Sequence, residues 1–350
     1  MKEALFLLIL FTASTICLAE SPVVVELKDL YKLTREQRPA SMSREERWAQ
    51  LDAIRNRARP IVSQEFAKLV DGGVTPLARE LLNNPETVWF SLSVLCQQFQ
   101  VYSADTTAVV LAKVFNATPD SLRGSVIRSF VLDLPKEVFA EKEIQEWLVK
   151  KINGGIPAGP FYFILTDESA KAVFKTATAS MKQFSKTREH NENNLFSLLS
   201  AVFLASREDK DALKLLDSLL DKRELDSLFD TAYALQAVAM SGNEKLIQKI
   251  RDIITTDKRA RSTEGSDPPE ISFAQIAASV CSLTIEGFPA VEYWDNYDDD
   301  MKKKVHDWLK NNPTHKVKLD DPRVFFCETP FQSIIPALWR AYEKEQERGL

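Results

Sequence analysis

Apolar residues in the middle of the chain recur at helical spacing. In KDALKLLDSLL, residues 210–220, the stripe is Ala212, Leu213, Leu216, Leu219 and Leu220. Moving 34 residues on gives Leu246, Ile247, Ile250, Ile253 and Ile254, all apolar. A similar stripe, Val173, Phe174, Ala177 and Met181, stands about 39 residues upstream. Each stripe follows the 3.6-residue period that buries one helix face. The preceding helix, Asn194 to Ser206, is apolar nearly all round and needs cover on more than one side. Two-helix units at this spacing predict stacked helical hairpins.

The same period organises most of the chain. Ser43 and Glu46 form a capping box that opens a helix carrying Trp48, Leu51 and Ile54 to about Arg59. Pro60 is expected to start the next helix, to about Val70, because its missing N–H costs nothing there. A short helix from Pro76 to Asn83 follows. Hairpins then succeed one another: 87–101 with a helix ending at Phe115, 120–132 with 140–152, 160–166 with 169–184, 194–206 with 209–221, and 228–241 with 244–256. Asp105, Asp120 and Asp209 are the expected N-caps, and Gly242 the left-handed residue after a helix end. The expected organisation is a leader at 1–19, an extended lead-in at 20–42, a helical-repeat domain at 43–256, a polar loop at 257–270, and a C-terminal helical region at 271–350 that continues or caps the array. Within that last region, helices are expected at 271–285, 300–311 and 331–347, and HKVKLDDPRVFFCETP is irregular or carries a short strand.

In this layout the chain resembles the HEAT/armadillo-type α-solenoids over about residues 60–256. The tetratricopeptide family is the near alternative, since its repeat is also about 34 residues long. Phe196, Leu199, Ser200, Phe203 and Ala212 meet its pattern in part, whereas Leu219 and Leu246 stand where it wants Ala. The fold class expected is all-α: a right-handed stack of antiparallel helical hairpins, an irregular α-solenoid. The alternative is a closed α/α toroid. The resemblance implies a surface for binding another protein; the toroid alternative implies an enzyme acting on polysaccharide or cell-wall material.

Composition narrows the classes. With 45% apolar and 27% charged residues the chain is globular in character, not disordered. Ten glycines and 16 prolines are too few for a many-turned all-β fold. A net charge of −5 disfavours a general nucleic-acid binder, which needs a cationic face. Thr34–Arg59 holds seven Arg against four acids, but the signs interleave and read as a solvated helix face.

The N-terminus carries the most specific signal. ALFLLILFTASTI is followed by CLA and ESP, the layout of a signal peptide cut after Ala19. This predicts an exported chain, periplasmic or secreted, with no further membrane span. Three cysteines follow the cut, Cys96, Cys281 and Cys327, so at least one thiol is left unpaired within the chain. Cys281 and Cys327 are a candidate disulfide across 46 residues; Cys96 reads as a small buried hydrophobe.

The familiar motifs of catalysis and phosphate binding do not occur: no G-x-S-x-G, P-loop, G-x-G-x-x-G, H-E-x-x-H or C-x-x-C. No cofactor or metal site is expected. His190, His306 and His315 each stand in polar sequence and read as surface groups. The acidic stretch 292–300 fails as a calcium loop: from Asp295, position 6 is Asp300 where Gly is required and position 12 is His306 where Glu is required. Asp298, Asp299 and Asp300 are better placed to charge a helix N-terminus. Tyr293, Trp294, Asn296 and Tyr297 remain as candidate partner-binding residues, since aromatic anchors concentrate binding energy. Asn116-Ala-Thr118 is a glycosylation sequon if the source is eukaryotic. The expectation is an exported, non-enzymatic helical-repeat protein that binds or scaffolds another protein of the cell envelope.

Overall fold

The structure, a computed structural model, describes residues 20–35, 42–156, 158–187, 192–221, 228–262, 270–291 and 297–325. The leader and the closing helix expected at 331–347 lie outside them. The fold is all-α, and among the described residues the one sheet is a ribbon of two three-residue strands. Contacts divide the chain into two units, Met1–Glu141 and Lys142–Leu350.

In the first unit, α1 (Pro22–Arg35) stands where an extended lead-in was expected. Its stripe of Val24, Leu27 and Leu30 is fully or almost fully buried. The helix forms because that stripe docks on α2 (Arg44–Asp71) and α4 (Pro85–Phe99). The tertiary contact overrides a weak local pattern. Helix α2 is one continuous helix of 28 residues, not the two expected on either side of Pro60. Buried Ile54, Ala58, Val62, Phe66 and Leu69 run unbroken past the proline. Pro60 and Asn56 are both exposed, so water can satisfy the Asn56 carbonyl that has lost its N–H donor. Helix α3 (Pro76–Asn83) packs on α2 and α4; α5 (Ala104–Ala117) packs on α2 and α3; α6 (Asp120–Phe130) packs on α4 and α5. The N-cap of α5 is Ser103, whose hydroxyl accepts from the Thr106 amide at 3.3 Å. Pro119 takes that place before α6. Asp105 and Asp120 lie instead in the first turns, where their charge meets the helix dipole.

In the second unit, α7 (Lys142–Asn153) packs on α8 (Asp167–Thr187), and a 3-10 turn spans Gly159–Ile164. Two helix pairs follow, α9 (Glu192–Ala205) with α10 (Lys210–Leu219) and α11 (Leu228–Met240) with α12 (Glu244–Thr256), and then come α13 (Phe273–Thr284) and α14 (Asp299–Asn311). Helix α11 packs on both α9 and α10, and α13 packs on both α11 and α12. The same neighbour relation is thus written twice. The described parts of α9, α11 and α13 are buried on nearly every side: Leu198 to Ala205, Ala232 to Met240, and Phe273 to Cys281. Covering such a helix all round is what its continuous apolar sequence requires. Phe203 shows the packing in detail: its ring stacks on Tyr162 of the 3-10 turn at 4.6 Å, and the Tyr162 hydroxyl accepts from Ser200 at 3.2 Å.

The expected polar loop is bounded by the ribbon, with β1 (Ala260–Ser262) antiparallel to β2 (Glu270–Ser272) and Arg261 opposite Ile271. Beyond α14 a single bridge joins Val317 to Ile285, consistent with the short strand expected there.

Candidate functional site

The 34-residue register reaches beyond the apolar stripe into the turns. Glu208 and Gly242 are in register, and both adopt positive φ, 62° and 66°. The next residues, Asp209 and Asn243, are both N-caps. The Asp209 carboxylate accepts from the Ala212 amide at 2.9 Å, and the Asn243 side chain from the Leu246 amide at 3.2 Å. Two equivalent turns are therefore built by different residues with the same backbone geometry. Gly242 adopts it freely, whereas Glu208 carries a Cβ into the left-handed region.

These turns form one end of an open groove between α10 and α12, with a volume of about 710 Å³. The first helices α9 and α11 pack together, while the groove runs between the second helices α10 and α12. Across the gap Lys249 and Asp217 form an ion pair. Lys214 and Lys245 line the groove with no ion-pair partner among the described residues. A smaller continuation of about 400 Å³ follows the same two helices toward Asp221 and Thr256. Such a surface offers an apolar floor at Leu213 and Leu246 between charged walls. It can hold an extended chain by side-chain and backbone contacts.

A second constellation joins α12 to the chain beyond α14. Arg251 occupies a core position: it follows Ile247 by four residues and precedes Ile254 by three. It is 4% exposed. Its Nη1 donates to His315 Nδ1 at 3.1 Å, and its Nη2 donates to the Asn312 carbonyl. The guanidinium lies 5.7 Å from the Trp308 ring centre, a cation–π distance. Burial lowers the Arg251 pKa; Cys281 and Asp252 oppose that shift. The donation from Arg251 requires His315 Nδ1 to be unprotonated. Burial, and then the Arg251 charge, hold the His315 pKa below its usual value; Glu244 opposes them. His315 is thus not the free surface histidine expected.

The residues expected at a binding surface divide. Tyr293, Trp294 and Asn296 lie outside the described residues. Tyr297 is 8% exposed, not presented to a partner. Its hydroxyl has no hydrogen-bond partner among the described residues, and burial pushes its pKa up to about 12. Cys281 is fully buried as a free thiol, with its pKa raised by burial; Cys327, its expected partner, lies outside the described residues. Cys96 is half-buried, donates to Asp133 at 3.6 Å, and has its pKa raised by burial to about 11. That environment keeps the thiol protonated and unreactive. Asp298 caps α14 by accepting from the Met301 amide at 2.8 Å, with Asp299 and Asp300 in the first turn, as the dipole argument expects.

Sequence reasoning missed Arg251. The signal was present: a charged residue interrupting the stripe Leu246, Ile247, Ile250, Ile254 at a core position. Among the described residues no cluster of His, Cys, Asp or Glu could hold a metal, and no helix is long and apolar enough to cross a membrane. No protein family, curated protein or solved structure matches the chain.

Proposed function

We propose that the chain is an exported, HEAT/armadillo-like helical-repeat protein that binds another protein through the face formed by its second helices. The observation that carries this reading is the open groove of about 710 Å³ between α10 and α12, with the apolar side chains of Leu213 and Leu246 among charged ones. A groove between the second helices of successive hairpins offers a partner a surface that neighbouring repeats can extend. The repeated turns make the surface regular, because each begins its second helix at the same point. Export rests on the leader and its cut after Ala19.

A photo-crosslinking side chain placed at Lys245, in the groove, tests the reading against the same group at exposed Lys303 on α14. In the exported fraction of the source cells, Lys245 should give a discrete crosslinked species that Lys303 does not. Equal or absent crosslinking at the two positions contradicts the reading. Hydrolysis of a polysaccharide by the purified chain would favour the α/α-toroid enzyme instead. Export is checked separately by the mass of the mature chain, which should begin at Glu20.

A further inference from the structure

Arg251 poses a physical problem. It is among the most buried charged side chains described, yet it makes no ion pair among the described residues. Its partners are a neutral imidazole nitrogen, a backbone carbonyl and an indole ring. Its Nε–H, also buried, has no acceptor among the described residues. The Cys281 thiol nearby stays protonated, since burial raises its pKa, and supplies no countercharge. Asp252, the next residue, favours the Arg251 charge without forming an ion pair with it; its carboxylate accepts from Gln248 at 3.0 Å. Taking a cation out of water without a counterion costs several kcal/mol. A cation held in this way attracts an anion.

Room for one lies beside it. Arg251 lines an open pocket of about 370 Å³ between α12 and α14. On the α14 side the pocket is lined by His306 and Lys310, both exposed and without a partner among the described residues. Leu309 gives it an apolar wall. Arg251, His306 and Lys310 therefore line one cavity with a single carboxylate, Asp252, which accepts from the Gln248 amide.

We infer that the pocket between α12 and α14 is an oxyanion site, taking a carboxylate or phosphate group against Arg251, with Lys310 and His306 closing over it. A guanidinium N–H directed at an oxyanion makes a charge-assisted hydrogen bond, shorter and stronger than a neutral one. Lys310 adds a flexible point charge from the rim. The site is separate from the groove between α10 and α12 and stands whether or not that groove binds a partner. An acidic side chain of another protein and a free phosphate present the same chemistry to it.

The test is calorimetric titration of the full mature chain with two probes, a tetraglutamate peptide and inorganic phosphate, at low salt. At least one probe should bind, and the one that binds identifies the source of the anion. Arg251→Gln should abolish the binding. Because that change could disturb the core, Lys310→Glu on the exposed rim is the second variant, and should weaken binding about tenfold while lowering the thermal midpoint far less than Arg251→Gln does. Raising the salt should weaken it too, as screening of an exposed lysine requires. Binding of neither probe, or binding that Lys310→Glu leaves unchanged, overturns the assignment.

Discussion

Two joints of helix α12 are made differently. Toward α11 and the preceding hairpin, the buried contact is apolar, with the Lys249–Asp217 ion pair at its exposed edge, and the elements repeat 34 residues apart: Leu216 with Ile250, Ala212 with Leu246, and the caps Asp209 with Asn243. Toward the chain beyond α14, the contact is polar and does not repeat. Arg251 stands in register with Asp217, and it holds His315, Asn312 and Trp308 at once. Apolar repetition lets like units stack and says nothing about where the stack ends. A buried arginine with directed partners accepts one neighbour only, since hydrogen bonds have geometry that hydrophobic contact lacks. The first joint builds length, and the second marks a position.

That contrast can be broken at its apolar side first. Phe203 is fully buried and stacked on Tyr162. Phe203→Ala leaves a cavity in the covered helix and should cost about 3–5 kcal/mol in chemical denaturation. A loss below 1 kcal/mol would mean that α9 is not the covered element described. Next come the repeated caps. Asp209→Ala and Asn243→Ala should each cost about 1 kcal/mol. If the turns are equivalent, the two losses agree closely in the same denaturation assay.

The polar joint is sharpened by pH. His315 is held neutral in the fold by burial first and by Arg251 second, so its folded pKa lies below its unfolded one. Its contribution is present above the unfolded value and is lost as pH falls through the folded value. Thermal midpoints should therefore drop as the pH is lowered below about 6.5, the ordinary histidine value, by the worth of about one hydrogen bond, ~1 kcal/mol. His315→Gln keeps an acceptor for Arg251 at every pH and should flatten this part of the profile. An unchanged profile in the variant would remove His315 from the joint. The smallest effect belongs to Glu208, a non-glycine residue at φ 62° where its repeat partner is Gly242. Glu208→Gly relieves the left-handed strain but adds unfolded-chain entropy, for a net gain of about 0.5 kcal/mol. The thermal midpoint reads it directly.

The hairpins were legible because their information is periodic and local. Leu216 and Ile250 announce a buried face whatever they pack against, and Asp209 and Gly242 announce turns by their own chemistry. Helix α1 was not legible, because Val24, Leu27 and Leu30 form a stripe too short to persuade until α4 is placed against it. Pro60 misled for the opposite reason: a local rule ends the helix there, but five buried residues on the far face hold it straight through. The candidate sites followed the same division. The groove between hairpins was foreseeable from the repeat. The Arg251 joint was not, since His315 stands 64 residues away and its sequence neighbours are polar. One clue could have found it: a lone charge on an otherwise apolar helix stripe.

The central claim is that the repeated hairpins support one another as a stack. Native-state hydrogen exchange of α9 in a Leu235→Ala variant tests it most directly. Leu235 is fully buried in α11, and α11 packs on α9. Amides of Leu198 to Ala205 should lose protection by the same free energy as those of α11, about 2–5 kcal/mol. Unchanged protection in α9, with the loss confined to α11 and α12, would contradict it.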